Sequence, residues 1–379
     1  MSDYRKYWVW LSTALGAAAR TDEILAAYPE PHKLFEASET DRMLSGVFSA
    51  NQLAKLSKTS MDTAVHYISL CNKNGWQVIT PDSEQYPANL KKLTDLPLVL
   101  YVDGGMDCLD GKVAVGVVGT RNPCYESIAI ARRISGELAK AGAVVVSGGA
   151  LGIDSAAHEA AIAAEGKPGC VMGCGLGTNY LMENEAMRRD IRENGAVISE
   201  YPPLSSASRV TFPQRNRIIS GLSNGVLVVE AGERSGSLIT ARLAAEQGRD
   251  VFAIPGSVLS SAYTGANRLI RDGAKAVSCA RDILTPYAAM YPDRLNLDVL
   301  QDGVTAEEIE QPERVKREYP SGVDPRIEQV YNLFGDEPLH PDEICAATGL
   351  PLSKVIAVLM QLELEEYIEQ TEGKNYILK

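Results

Sequence analysis

Hydrophobic and polar positions along the chain change their rhythm twice. Residues 4–75 read as short helices at Tyr4–Ala19, Thr21–Tyr28, Pro31–Ala37 and Glu39–Ser45, followed by a longer one at Ala50–Asn74. Thr21-Asp-Glu and Ser49-Ala-Asn supply cap residues. From Trp76 to Gly104 two short strands, Gln77–Thr80 and Leu98–Val102, flank a proline-punctuated segment. Strand and helix patterns then alternate. Apolar, β-branched runs predict strands at Val113–Val118, Ala143–Ser147, Gly169–Met172, Ala196–Ser199, Val226–Glu230 and Val251–Ile254. Between them lie helices at Tyr125–Ala141, Ile153–Ala164, Glu183–Glu193 and Ile239–Gln247. The uninterrupted run Gly225-Val-Leu-Val-Val-Glu230 predicts a strand buried on both faces of a parallel sheet.

This alternation predicts an α/β fold, a doubly wound, mostly parallel sheet with ligands in the crevice at the strands' carboxyl ends. Residues 286–323 are richer in Pro, Asp and Glu without sustained periodicity, and are expected to be a linker. Order returns in residues 324–379 with helices at Pro325–Phe334, Pro341–Thr348 (capped by Gly349) and Leu352–Glu365. Tyr367–Gln370 and Tyr376–Leu378, joined through Gly373-Lys-Asn375, form a hairpin and complete a winged-helix pattern. The expected domains are therefore 1–75 (small, all-helical), 76–285 (α/β), the linker, and 324–379.

At 379 residues the chain has room for about two or three such domains. No apolar run approaches the ~18 residues that span a bilayer. MSDYRKYWVWLSTALG lacks a long apolar core and a cleavage site before Arg20 and Asp22, so no signal peptide is predicted and the expected location is cytoplasmic. Seven cysteines, an odd number with no C-x-x-C pair, argue against a disulfide framework and against a metal site. The net charge of −12 is uneven: residues 76–285 carry 21 basic and 22 acidic side chains, whereas residues 324–379 carry 4 and 11. A near-neutral domain can still bind a polyanion through a local patch.

Candidate chemistry gathers at predicted strand ends. Gly119-Thr120-Arg121, Ser147-Gly148-Gly149, Gly173-Cys-Gly175 and Pro255-Gly256 all follow strands. None is a G-x-G-x-x-G or Walker A loop, and Ser147 stands where a dinucleotide site has an acidic residue, so no cofactor is expected. Gly119, Thr120 and Arg121 offer backbone donors and a fork for an external phosphate. Between Phe212 and Ala241, Arg215-Asn216-Arg217 precedes the buried strand, and Ser235-Gly236-Ser237 opens a helix whose N-terminus favours an anion. The candidate phosphate ligands are Arg121, Arg209, Arg215 and Arg217, with Ser147, Gly148, Ser235, Gly236 and Ser237 as donors. Phe212 is a candidate for stacking on a base. Asp154 and His158, one helical turn apart without a placed nucleophile, are expected to be structural. Glu230 is expected to orient Asn216 or an arginine.

Taken together these motifs resemble the DprA/Smf family, DNA processing protein A. The resemblance rests on YPANLKKLTDLPLVLYVDG, VGTRNP, SGGALGIDSAAH, GAVISEYP, FPQRNRIISGLS, VLVVEAGERSGSLITARLAAEQGRDVFAIPG and GANRLIRDGA, in family order over about residues 86–285. It implies an extended Rossmann-like fold, with a helical (SAM/HhH-like) start and a winged-helix end as in many members. It further implies a protein that binds and protects single-stranded DNA, loads RecA recombinase onto it, and, as is common in the family, works as a homodimer in natural transformation. With no metal constellation and no placed nucleophile, no enzymatic activity is expected. Two places depart from the family pattern. Gly149 and Leu151 stand where larger, often basic or aromatic residues are usual, and Tyr180-Leu-Met-Glu-Asn184 replaces a common Tyr-Pro-x-x-Asn.

Two other function classes compete. Rossmann-like nucleotide phosphoribohydrolases share an early Arg and a Ser-Gly-Gly loop, but here Ser235-Gly-Ser-Leu-Ile-Thr240 replaces their Pro-Gly-Gly turn. A winged-helix transcription regulator needs a basic recognition helix, whereas the third helix sets Lys354 alone against Glu363, Glu365 and Glu366.

Overall fold

A computed structural model describes residues 4–109, 111–291, 293–300, 324–335, 338–365, 367–370 and 375–378. The chain divides into two compact units, Met1–Val304 and Thr305–Lys379. Six helices open the first: α1 (Arg5–Leu15), α2 (Asp22–Ala27), α3 (Pro31–Glu36), α4 (Glu39–Leu44), α5 (Ala50–Lys58) and α6 (Met61–Asn74). The expected long helix at 50–74 is thus two. Thr59 is extended and its carbonyl accepts from the Trp10 indole at 2.9 Å, while Ser60 caps the next helix by accepting from the Asp62 N–H. Cap chemistry wins over a continuous apolar period. Trp8, Trp10, Leu11 and Leu34 form a core that also takes in Val78, Val99 and Tyr101.

A nine-stranded sheet follows. Its strands are β1 (Gln77–Ile79), β2 (Leu100–Gly104), β3 (Ala114–Val118), β4 (Val144–Ser147), β5 (Gly169–Met172), β6 (Ala196–Ser199), β7 (Gly225–Val228), β8 (Asp250–Ala253) and β9 (Lys275–Ala276). The order is β1-β2-β6-β5-β4-β3-β7-β8-β9. Strands β3 to β9 run parallel, and β2 joins β6 antiparallel. The fold is therefore the expected doubly wound, mostly parallel one.

Seven helices flank it: α7 (Tyr125–Lys140), α8 (Ile153–Ala163), α9 (Glu185–Asn194), α10 (Thr211–Leu222), α11 (Ser237–Glu246), α12 (Thr264–Arg271) and α13 (Ala280–Ala288). Alternate strand residues serve opposite layers, as the pleat requires. Val115 and Val117 pack with Ile134, Ile153 and Ile283, whereas Ala114 and Val118 share a core with Ile218, Ile219 and Ala244. Each fully buried valine contributes about 1.5–3 kcal/mol over its exposed state. The chain leaves β3 toward β4 but leaves β7 toward β8, so winding reverses between β3 and β7. That reversal opens the crevice in which such folds bind ligands.

Two segments differ from expectation. Helix α10 occupies the stretch carrying Arg215-Asn216-Arg217, where the alternation assigns no element; Ser208 and Thr211 exchange hydrogen bonds at its start. The linker also begins later than residue 286. Tyr291, Leu295, Leu297 and Leu300 pack on the sheet core, and the Asn296 N–H donates to the Ala141 carbonyl at 3.0 Å. Pro286 is tolerated inside α13 because the Asp282 carbonyl, left without its helical donor, accepts from Lys275 Nζ at 2.6 Å. The rest of the expected linker, residues 301–323, lies outside the described residues.

The second unit contains α14 (Pro325–Tyr331), α15 (Pro341–Thr348), α16 (Leu352–Leu364) and the antiparallel pair β10 (Ile368–Gln370) and β11 (Tyr376–Leu378). Leu339 bridges to Tyr376 and completes the small sheet of a winged helix. Gly349 ends α15 at φ 71°, a left-handed position suited to glycine. Val355, Val358, Leu359 and Leu362 of α16 are buried with Ile327 and Ile344, while Leu364 is 83% exposed. The hairpin's Gly373-Lys turn, Glu366 and Lys379 lie outside the described residues. Among the described residues no single helix is long and apolar enough to cross a membrane.

Candidate nucleic-acid interface

A pocket of about 540 Å³ lies at the reversal of winding. Three strand-end loops and one helix build it. Gly119, Thr120 and Arg121 follow β3, Ala150 and Asp154 follow β4, and Ser235, Gly236 and Ser237 lead into α11; Arg209, Phe212, Arg215 and Asn216 come with α10. Local chemistry fixes each contributor. A Cβ on Gly119 would meet the Ile153 side chain, so only glycine lets β3 close on α8 at this point. Ser235 Oγ and Ser237 Oγ share a hydrogen bond of 2.7 Å that shapes the start of α11. On α10, Phe212, Arg215, Asn216 and Ile219 recur at helical spacing and turn one face to the pocket.

Arg121 is exposed, and its guanidinium lies over the Phe212 ring at 5.3 Å from the centroid. Tyr180 meets the same ring at 5.3 Å. The three side chains form a cation–π and aromatic stack at the rim. Arg215 is different. It is buried, and one Nη donates to the Val171 carbonyl. Burial works against its charge, and the Asp154 carboxylate works for it. Burial likewise raises the Asp154 pKa, opposed by Arg215 and by the N–H groups of Gly148 and Ala150, which donate to Oδ2. Behind them His158 is fully buried, and burial together with the Arg215 charge pushes its pKa down to about 3, so the ring is neutral. Asp154 and His158 are thus part of the frame around Arg215.

Three expected ligands do not reach the pocket. Ser147 is fully buried and donates to the Val117 carbonyl at 2.6 Å. The Gly148 N–H goes to Asp154 at 3.1 Å, and a Cβ at this glycine would run into the Arg215 guanidinium. Arg217, two positions from Arg215, faces the opposite side of α10 and joins Glu200 at 2.6 Å and Asp95 at 3.1 Å. Glu230 orients neither Asn216 nor an arginine. Its Oε2 accepts from the Cys124 N–H at 2.9 Å, and its carbonyl from the Thr120 N–H at 2.9 Å, so it holds the β3–α7 loop in shape. Sequence reading missed Tyr180 and Asp154 as members of the site. Asn184, four residues beyond Tyr180, is tied to the Gly149 carbonyl and Ser155 Oγ, both at 3.0 Å, and holds that loop in place. Among the described residues no three His, Cys, Asp or Glu side chains gather as a metal site, and all seven cysteines are free.

A crevice at the switch point of a doubly wound sheet, lined here by arginines and helix-start donors, defines a Rossmann-like α/β protein. The chain belongs to the family of the DNA recombination-mediator protein A, whose model matches residues 77–288, and the DprA winged helix domain matches residues 316–374. It is 35% identical over 322 residues to Protein Smf of Synechocystis sp., covering 79% of each chain. Its fold is similar to the X-ray structure of DNA processing protein A from Streptococcus pneumoniae, with TM-score 0.64 and 32% identity over 75% of this chain and 98% of that one. DNA processing protein A from Helicobacter pylori, whose structure concerns a unique single-stranded DNA binding mode, gives TM-score 0.52 and 32% identity over 57% of this chain and 97% of that one.

Proposed function

We propose that the pocket holds the backbone of single-stranded DNA with little base preference. On this reading the protein, a cytoplasmic homodimer, shields incoming strands and delivers them to RecA recombinase during natural transformation. The observation that carries the reading is the convergence of Arg121, Arg209, Arg215 and Ser235–Ser237 on one pocket at the sheet's carboxyl edge. These groups can reach phosphates but offer no base-edge code, which is the chemistry of sequence-tolerant single-strand binding. The single-strand binding of the Helicobacter pylori relative supports it. A hydrolase reading finds no support in Glu230, which is occupied by the Cys124 N–H.

Two assays test this. Labelled oligonucleotides should bind as single strands in preference to duplex, and RecA filaments should form faster on single strands that carry the protein. Equal affinity for duplex, or release of free base from nucleoside monophosphates that Glu230→Gln abolishes, would reverse the assignment.

A further inference from the structure

A second cavity, of about 300 Å³, lies beside the loop between β5 and α9 and shares no lining residue with the phosphate pocket. Three elements meet around it. Trp76 precedes β1, Asp103 stands on β2, and Glu185, Arg188 and Arg192 recur at three- and four-residue spacing along one face of α9.

The polar groups here are short of partners of both kinds. Arg188 is 6% exposed. Its Nε and Nη2 donate to Glu185 Oε2 at 3.2 and 2.9 Å, and Nη2 also to the Leu181 carbonyl at 2.9 Å. Its Nη1 is buried and finds no hydrogen-bond partner among the described residues. Arg192 Nη1 stands 3.7 Å from Asp103 Oδ2 and 3.5 Å from Glu185 Oε1, close enough for charge attraction but longer than ordinary hydrogen bonds. Asp103 is the complementary case. Burial raises its pKa against the opposing pull of the Arg192 charge and the Trp76 indole N–H, so its carboxylate is short of donors.

Charge and shape narrow the ligand. Two guanidiniums are balanced by two carboxylates, which leaves no excess charge to hold a free phosphate or a cation. A phosphate would in any case supply only acceptors. A nucleobase supplies donors and acceptors on one flat edge, and an indole offers an aromatic surface to its face. Guanine sets two acceptors, O6 and N7, beside N–H donors at N1 and N2. Arginine pairs with O6 and N7 more often than with any other base edge, and an ionised carboxylate accepts from N–H groups.

We propose that this cavity binds a guanine base, with Asp103 accepting from N1–H and the N2 amino group while Arg188 and Arg192 donate to O6 and N7. The site goes beyond the single-strand reading and does not depend on it, because the guanine can belong to a free nucleotide or to a strand. Leu181, held by Arg188, adjoins Tyr180 of the aromatic stack, so one loop borders both sites. On a strand, the cavity adds one base-reading position to a pocket that reads none.

The test uses the full-length protein. Guanosine, adenosine and xanthosine monophosphates are titrated by calorimetry, and oligo-dT carrying a single dG or a single dA is titrated by fluorescence anisotropy. Wild type should bind the guanine nucleotide about tenfold more tightly than the other two if the source is free nucleotide. It should bind the dG strand about fivefold more tightly than the dA strand if the source is DNA. Asp103→Asn should lose about tenfold for guanine and come to prefer xanthosine monophosphate, because an amide donates to the C2 carbonyl that replaces guanine's amino group. A merely structural Asp103 would weaken every probe alike. Absence of a guanine preference in both formats would overturn the inference, and this comparison needs no variant. So would an Asp103→Asn protein with the wild-type unfolding midpoint that weakens all probes equally or none. Failure of wild type to bind oligo-dT at all would count against the single-strand reading instead, and the free nucleotides would then decide this inference.

Discussion

Arg215 and Arg217 stand two positions apart on α10 and serve opposite ends: Arg215 lines the pocket, and Arg217 is locked to Glu200 at 2.6 Å. Residues at this spacing on a helix do not share a face. Breaking a buried ion pair by removing one partner typically costs about 3–5 kcal/mol, because the other charge stays buried. Arg217→Ala should therefore lower stability toward denaturant by that order, while the folded variant keeps the wild-type slope of log affinity against log salt. A stable Arg217→Ala protein with a flattened slope would place Arg217 on the DNA.

Phe212 carries Arg121 on its ring and touches Tyr180. If that ring also stacks on a base, Phe212→Leu should cost about 1–3 kcal/mol of single-strand affinity. Leucine keeps the apolar bulk but removes the π face, so the fold should hold. Wild-type affinity in the variant would limit Phe212 to packing.

His158 links the site to pH. Its folded pKa, pushed down to about 3, lies below the ordinary value near 6.5. The unfolded chain therefore binds a proton in this window that the folded chain refuses, so stability falls as pH falls from about 6.5 toward about 3. Between about pH 7 and pH 5 the loss from this one group is about 2 kcal/mol. Asp154 and Arg215 are its charged neighbours, and a raised Asp154 pKa acts in the opposite sense, so a difference measurement is needed. His158→Gln should lose about 2 kcal/mol less than wild type between those two pH values in chemical denaturation. Parallel losses in the two proteins would mean that His158 is not buried and neutral.

The winged-helix unit should be dispensable for strand binding. Among its described residues Asp324, Glu328, Asp342, Glu343, Glu363, Glu365 and Glu369 oppose Arg326 and Lys354, and Arg326 is paired with Asp324. Such a surface has few counterions to displace from DNA. Removing residues 305–379 should leave single-strand affinity within about twofold, roughly 0.4 kcal/mol. A tenfold loss in a folded truncation would give that unit a direct role on DNA.

The sheet was legible in the sequence because strands such as β3, β4 and β6 are short β-branched runs closed by Gly119, Ser147 and Ser199, and local pattern alone specifies that. The winged helix was legible through its caps and hairpin. Helix α10 was not, since Pro213, Gln214, Arg215 and Asn216 interrupt any apolar period, and the helix is stabilised by burying Ile218, Ile219 and Leu222 against the sheet. Its phase decides the site. Without it, Arg215 and Arg217 look equivalent, and nothing local announces Glu200 or Asp95 as partners. Ser147 and Gly148 failed for a related reason: they sit at a strand end as expected, but a buried Asp154 and the Val117 carbonyl claim their donors first. Strand-end position located the pocket, and tertiary hydrogen bonding chose which of its residues stay available.

The central claim is that phosphates of single-stranded DNA enter the pocket beside Arg121. Its most direct measurement is the salt dependence of oligo-dT binding by wild type and Arg121→Ala. Each phosphate contact to a single strand contributes about 0.7 to the slope of log affinity against log salt. Arg121→Ala should weaken binding and flatten the slope by about that amount, with an unchanged unfolding midpoint, because the side chain is exposed. A folded Arg121→Ala protein with wild-type affinity and wild-type slope would contradict the assignment of this pocket to DNA.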